Sequence, residues 1–76
     1  MTQMTASKTV LTMKYARVIA ELAQMAGVSL EQALDLFYRS HTYQEMRTGI
    51  GQMHCRSEGY LAEEITLENI ANEANQ

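Results

Sequence analysis

Apolar residues recur every three or four positions through the first third of the chain, which is the spacing of one helix face. The stripe consists of Leu11, Tyr15, Val18, Leu22 and Met25, and Ile19 and Ala26 widen it. The charged side chains fall mostly off this face, and Arg17 and Glu21 are spaced to pair across one turn. The pattern predicts an amphipathic helix of about twenty residues. We expect Ser7 to be its N-cap and residues 1–6 to be a flexible lead-in.

A helical corner is predicted directly after this stripe. Gly27 suits the left-handed conformation that closes a helix, because it has no Cβ to clash. Ser29 and Gln32 have the spacing of a capping box, in which each satisfies a backbone N–H of the other. These signals predict that the first helix ends near Gly27 and that a second helix runs from about Leu30 to Arg39.

The second helix is apolar over more than one side. Its apolar face holds Leu30, Ala33, Leu34 and Phe37, with Leu36 and Tyr38 partly outside it. Such a helix either lies centrally between other elements or contributes to an interface. Phe37 is the only phenylalanine of the chain, and we expect it to be the main core anchor.

The middle of the chain predicts one short helix. Thr42 and Glu45 have the spacing of a second capping box, so this helix should begin near Tyr43. Gly49 and Gly51 weaken helix and should end it. Residues 52–56 fit either a loop or another short turn.

A further helix is predicted from Ser57, its N-cap. Its apolar face holds Tyr60, Leu61 and Ile65. Residues 66–69 fit either the start of a new helix or a continuation of this one. A narrow apolar stripe is formed by Leu67, Ile70, Ala71 and Ala74. The predicted fold is therefore all-α, a small bundle of three main helices plus one short helix. Residues 7–66 form a single domain, and residues 67–76 form a helical extension or a frayed tail.

Composition supports helices and a cytoplasmic location. The chain has no proline or tryptophan, and 46% of its residues are hydrophobic. The net charge of −3 gives no electrostatic reason to expect a nucleic acid or a membrane surface as partner. No apolar run follows a basic start, and no run is long enough to span a bilayer. Cys55 is the only cysteine, so no disulfide forms within the chain.

The number and spacing of histidine and cysteine residues give little support for metal binding or catalysis. His54 and Cys55 are adjacent, so they point in different directions on regular structure, and His41 is the only other histidine. Zinc needs three or four converging ligands. A cysteine nucleophile would need a base and an orienting group. We expect no metal, no cofactor and no enzymatic activity.

The methionines and tyrosines point to packing and to partner binding, respectively. Met13, Met25, Met46 and Met53 occupy apolar-stripe positions and are predicted to be core residues. Tyrosine suits surfaces that become buried on binding, because it combines apolar area with a polar end. The candidate partner contacts are Tyr38, Tyr43, His54 and Tyr60.

A DNA-binding alternative comes from the same corner. Ala23 followed by Gly27, Val28 and Ser29 has the spacing of a helix-turn-helix. The second helix would then enter the major groove with Glu31, Gln32 and Asp35 outward, and Arg39 is its only basic residue. Carboxylates repel phosphates, so the charges oppose this hypothesis.

The chain resembles a small bacterial family of unknown function, whose members are short, helical proteins of anaerobic gut-type bacteria. Three blocks carry the resemblance. They are the opening helix over Tyr15–Met25, the capped helix with Ser29, Leu34, Leu36 and Phe37, and the run with Met53-His54, Tyr60-Leu61 and Glu64-Ile65. The chain departs from the family between Tyr38 and Met46.

The resemblance implies an accessory role, because such genes often lie beside a toxin resembling ADP-ribosyltransferases. Together with the residues, it predicts a non-catalytic protein–protein interaction or accessory module. Its partner would be a toxin-like enzyme, another protein or a second copy of itself in a homodimer. The alternative is a helix-turn-helix DNA-binding regulator.

Overall fold

The computed structural model describes residues 2–74, with side chains from residue 11 onward. Four α-helices follow one another: α1 (Thr2–Ala26), α2 (Leu30–Arg39), α3 (His41–Thr48) and α4 (Glu58–Ala74). A 3-10 helix (Ile50–Cys55) connects α3 to α4, and no strand occurs between residues 2 and 74. The all-α class is therefore confirmed. The parts of the predicted lead-in and tail that fall on Met1 and residues 75–76 lie outside the described residues.

α1 starts earlier than its pattern predicts. It begins at Thr2, so Ser7 lies inside the helix and the prediction of Ser7 as an N-cap is wrong. No glycine or proline interrupts residues 2–26, so nothing in the backbone chemistry stops the helix short of Thr2. Arg17 is also placed differently, because it pairs with Glu58 of α4 rather than with Glu21.

One apolar core joins all four α-helices. Its members are Val18, Ile19, Leu22 and Ala23 from α1, Ala33 and Phe37 from α2, Met46 from α3, and Leu61, Ala62 and Ile65 from α4. The α1 members lie on one helix face, because they recur at steps of three and four along it. The core thus covers the middle of the predicted α1 stripe, whereas Met25 is exposed, and Phe37 is fully buried as predicted.

The corner between α1 and α2 forms as predicted. Gly27 is left-handed, with φ of +68°, and the Val28 N–H donates to the Ala23 carbonyl at 3.0 Å, which is the pairing of a Schellman cap. The Gln32 N–H donates to Ser29 Oγ at 3.1 Å, and the Ser29 N–H donates to Gln32 Oε1 at 3.0 Å. This reciprocal pair is the predicted capping box, and α2 has the predicted bounds.

α3 follows α2 almost without a connection. Ser40 is the C-cap of α2 and the N-cap of α3, and its Oγ accepts from the Tyr43 N–H at 3.0 Å. The prediction of a Thr42–Glu45 capping box is therefore wrong, because α3 begins at His41 and Thr42 lies within its first turn. Gly49 is left-handed and ends α3, as predicted.

The 3-10 helix is distorted by residues with positive φ. Gly51 has φ of +60° and Gln52 has φ of +55°, which is an uncommon conformation for a residue with a side chain. The short-turn alternative for residues 52–56 is thus closer to the structure than an open loop.

α4 is one continuous helix. Ser57 Oγ accepts from the Tyr60 N–H at 3.1 Å, which confirms Ser57 as its N-cap. Residues 66–69 continue this helix rather than starting a new one, and the described part extends to Ala74.

The four methionines do not all belong to the core. Met46 is buried and Met53 packs against the core, but Met13 and Met25 are exposed, so the core prediction is wrong for these two. Met13 lies two residues before Tyr15 and five before Val18, which places it off the α1 stripe, whereas Met25 belongs to the stripe but remains exposed. None of the helices between residues 2 and 74 has the length and hydropathy needed to cross a membrane.

Candidate functional site

An aromatic cluster joins α1, α2 and α3 at one side of the core. The Phe37 ring lies 5.3 Å from that of Tyr15 and 5.1 Å from that of Tyr43, centroid to centroid. The Tyr38 ring packs edge-on against Tyr43 at 4.8 Å. Offset and edge-to-face pairs at these distances are favourable beyond simple burial. The cluster therefore packs α1, α2 and α3 against one another.

Ionisation of Tyr15 is opposed by this packing. Burial raises the pKa of Tyr15 above its usual range, and the neighbouring Tyr43 and Tyr38 raise it further. The neutral phenol is therefore the stable form of Tyr15 in the cluster.

An exposed apolar strip runs along α2 beside the aromatic cluster. We call Leu30, Leu34 and Tyr38 the α2 strip; they lie four residues apart and are 64%, 45% and 46% exposed. Ala33 and Phe37, on the neighbouring face of the same helix, are fully buried. Of the two predicted alternatives for α2, a central position and an interface, the exposed strip favours the interface.

α4 carries a second exposed apolar face. Leu67 and Ile70 are 53% and 54% exposed, and Ala71 and Ala74 are exposed beside them. Tyr60 lies on the same side of α4, near its start, and the Arg56 guanidinium carbon sits 5.6 Å from its ring centroid. The inward side of α4 is apolar only as far as Ile65, since the later inward positions hold Glu68 and Asn69.

Glu68 connects α4 to the start of α3. Its carboxylate accepts the His41 N–H at 2.8 Å, the Thr42 N–H at 2.9 Å and the Thr42 hydroxyl. A helix N-terminus has unsatisfied N–H groups and a partial positive charge, so a carboxylate is a suitable acceptor. Sequence reasoning missed Glu68, because its partners are far away along the chain and no local spacing marks it.

A polar groove separates α2 from the second half of α4. It contains two adjoining hollows of about 270 and 500 Å³, which share Leu36, Arg39, Asn69 and Glu73. Binding sites for small molecules are usually lined mainly by apolar side chains. This groove is open and lined mostly by polar side chains, so it does not resemble such a site.

The candidate partner contacts are only partly brought together. Tyr38 and Tyr43 touch, while Tyr60 belongs to the α4 face. His54 is partly buried in the 3-10 helix beside Gly49, where its Nδ1 is buried without a hydrogen-bond partner in the described part of the chain. His54 and the tyrosines therefore do not form one surface.

The residues considered for metal binding do not form a group of ligands in the described part of the chain. Cys55 is exposed, and the His41 Nε2 lies 3.4 Å from a Glu45 oxygen on the same helix. Among residues 2–74 no three His, Cys, Asp or Glu side chains converge as metal ligands.

The corner considered for DNA binding exposes mainly acidic and apolar side chains. The Arg39 guanidinium is held by Asp35 at 2.9 Å, and Glu31 and Gln32 are exposed on the same helix. Phosphate contacts rely on lysine and arginine side chains. α2 therefore lacks the charge pattern of a recognition helix.

Comparison with protein families, with curated proteins and with solved structures finds no match to this chain.

Proposed function

We propose that this chain is a non-catalytic protein–protein interaction or accessory module, built on a bundle of three main helices plus a short one. The α2 strip carries the proposal. A small chain with few buried side chains leaves three large apolar residues of one helix facing solvent, next to positions that it buries fully. Exposed apolar side chains in a contiguous row are typical of interaction surfaces.

The polar side chains support a structural rather than a catalytic role. Glu68 and Ser40 satisfy helix ends, and Arg17 joins α1 to α4 through Glu58. These side chains are already engaged in holding the helices together, so the polar chemistry of the chain serves its fold.

The partner is a second protein or a second copy of the chain. The family resemblance points to a toxin-like enzyme as partner, and the α2 strip equally suits a homodimer. A small chain gains stability when its exposed apolar area is covered. With either partner, we therefore expect the α2 strip to become buried in the complex.

The DNA-binding alternative is weaker on electrostatic grounds. α2 carries Glu31 and Asp35, and its basic Arg39 is paired with Asp35. A DNA reader of this kind would bind duplex DNA with a steep salt dependence. We expect no such binding at low salt, measured by a gel-shift assay.

The proposal is tested by capture from native cell lysate together with light scattering of the purified chain. We expect either one protein recovered in a fixed ratio or a homodimer. Leu34→Asp, which places a charge in the α2 strip, should weaken the association about tenfold or more.

Gln44→Asp is the matched control, because Gln44 is exposed on α3 and belongs to neither apolar surface. It should leave the association unchanged. A monomer that captures nothing would overturn the proposal. So would an association that survives both Leu34→Asp and Leu67→Asp in a folded chain.

A further inference from the structure

We infer that the outward face of α4 docks a basic amphipathic helix of a partner protein. This inference rests on the proposed function and adds the chemistry of the partner. The face is defined by Tyr60, Glu63, Leu67, Ile70 and Ala74, and we call it the α4 seam.

The α4 seam has the spacing of a coiled-coil interface. Tyr60, Leu67 and Ala74 are seven residues apart, and Glu63 and Ile70 fall three residues after the first two. Positions three and four apart lie on one side of a helix and can pack against a second helix. All five residues are exposed, on the side of α4 away from buried Leu61 and Ile65.

The second half of α4 shows that this face is organised for a neighbour. Beyond Ile65, its inward positions are Glu68, Asn69 and Asn72, which line the polar groove or bind α3. Leu67 and Ile70 point outward instead. A surface helix normally has the opposite arrangement, with its apolar side toward the core.

The charges of α4 indicate which sign of charge the partner helix should carry. Its charged side chains are all glutamates: Glu58, Glu63, Glu64, Glu68 and Glu73. Glu58 is paired with Arg17, and Glu68 binds the start of α3. Of the remaining three, Glu63 lies in the α4 seam, and Glu64 and Glu73 flank it, with Glu73 on the side of the polar groove. None of the three forms an ion pair with a basic side chain in the described part of the chain.

These three glutamates oppose pairing of α4 with a second copy of itself. In either orientation, two α4 helices would bring together only carboxylates at their charged positions. Charges beside a coiled-coil seam set partner choice, and like charges there disfavour pairing. Lysine or arginine beside the seam of a partner helix would instead pair with Glu64 and Glu73 and meet Glu63 within it. α2 carries charged side chains of both signs beside the α2 strip, so these charges do not specify a partner in this way.

The experiment measures fluorescence anisotropy of a labelled three-heptad helical peptide, about 21 residues long, with leucine in its seam and lysine at the flanking positions. The unlabelled partner is the full chain. We expect the lysine peptide to bind about tenfold more tightly than a matched peptide with glutamate at the flanking positions, and added salt to weaken the binding.

Two variants of the chain separate apolar docking from simple charge attraction. Leu67→Asp/Ile70→Asp should weaken lysine-peptide binding about tenfold or more, although it makes the chain more acidic. Leu34→Asp, equally acidic per site and placed on α2, should change binding less than about twofold. Glu63→Lys/Glu64→Lys/Glu73→Lys should reverse the preference, so that the glutamate peptide binds more tightly than the lysine peptide. This variant keeps the large apolar residues of the α4 seam, so it still tests the inference if Leu67→Asp/Ile70→Asp folds poorly.

Several results would overturn the inference. Equal affinity for the lysine and glutamate peptides would show that charge complementarity does not select the partner. Lysine-peptide binding that survives Leu67→Asp/Ile70→Asp would show attraction without docking. A homodimer of the full chain that is lost in the same variant would make the second copy the occupant. If lysate capture depends on Leu34 alone, this inference fails while the proposed function stands.

Discussion

Phe37 is the side chain through which three helices meet. Its ring is fully buried and contacts the rings of Tyr15 on α1, Tyr38 on α2 and Tyr43 on α3. A large side chain surrounded in this way cannot be removed without leaving a cavity, because the rings around it are tied to different helices.

Phe37→Ala should therefore destabilise the chain by about 3–5 kcal/mol, which is comparable to the whole stability of a small domain. The free energy of unfolding, from urea denaturation followed by circular dichroism, is the measurement. Leu34→Ala is the matched control, since Leu34 belongs to the same helix but is largely exposed, and it should cost much less. Equal losses for the two variants would contradict this description of the core.

The Arg17–Glu58 ion pair should make stability depend on pH. The hydrogen bond from Arg17 lowers the pKa of Glu58, with a smaller contribution from the backbone at Glu58. A carboxyl whose pKa is lower in the folded state stabilises the fold when it is ionised. That stabilisation is present above the usual glutamate pKa and is lost as pH falls through the lower, folded-state value.

Arg17→Gln should thus destabilise the chain slightly at neutral pH, and the difference from the unchanged chain should shrink in acid. The same substitution should move the pKa of Glu58 back toward its usual range. NMR titration of Glu58 measures the pKa, and denaturation at neutral and acid pH measures the stability. A difference that stays constant across this range would show that the ion pair contributes nothing.

At the scale of elements, helix ends decide how α2, α3 and α4 fit together. The corner at Gly27 and Ser29 is determined locally, so its cap and capping box follow from sequence spacing. The start of α3 is determined by hydrogen bonds to Ser40, which is also the C-cap of α2, and to Glu68, which belongs to α4. This explains why the Thr42–Glu45 spacing predicts the wrong start.

Glu68→Ala should leave the N–H of buried Thr42 without its acceptor. We expect a loss of about 1–3 kcal/mol in the free energy of unfolding, the usual cost of an unsatisfied buried donor. Glu68→Gln keeps one acceptor oxygen and should lose less. Glu63→Ala, an exposed glutamate on the same helix, should stay within about 0.5 kcal/mol. If Glu68→Ala costs no more than Glu63→Ala, the carboxylate does not anchor α3.

At the scale of the whole molecule, apolar surfaces on α2 and α4 remain uncovered in the part of the chain that the structure describes. The α2 strip and the α4 seam lie on different helices, and the chain spans 46 × 24 × 17 Å by its principal axes. So small a body has a large surface for its volume, and its core takes only part of its apolar side chains. The proposed partner binding belongs to this scale, because no single residue or helix requires it.

The sequence by itself determined the helical class, the α1–α2 corner, the bounds of α2 and the burial of Phe37. These follow from periodicity and from caps, which act over one or two turns. It also identified α2 as a helix with more apolar area than one face can bury. Tyr38, Tyr43 and Tyr60 were named as candidate contacts by residue type alone.

Only the tertiary structure decided which apolar side chains are covered. Leu30, Leu34 and Met25 sit at stripe positions like the buried residues, but they remain exposed. The tertiary structure also decided the partners of Glu68 and Arg17, because these partners are distant along the chain. Periodicity fixes the side of a helix on which a residue lies. What packs against that side depends on how the helices cross, and that is set by contacts between residues far apart in sequence.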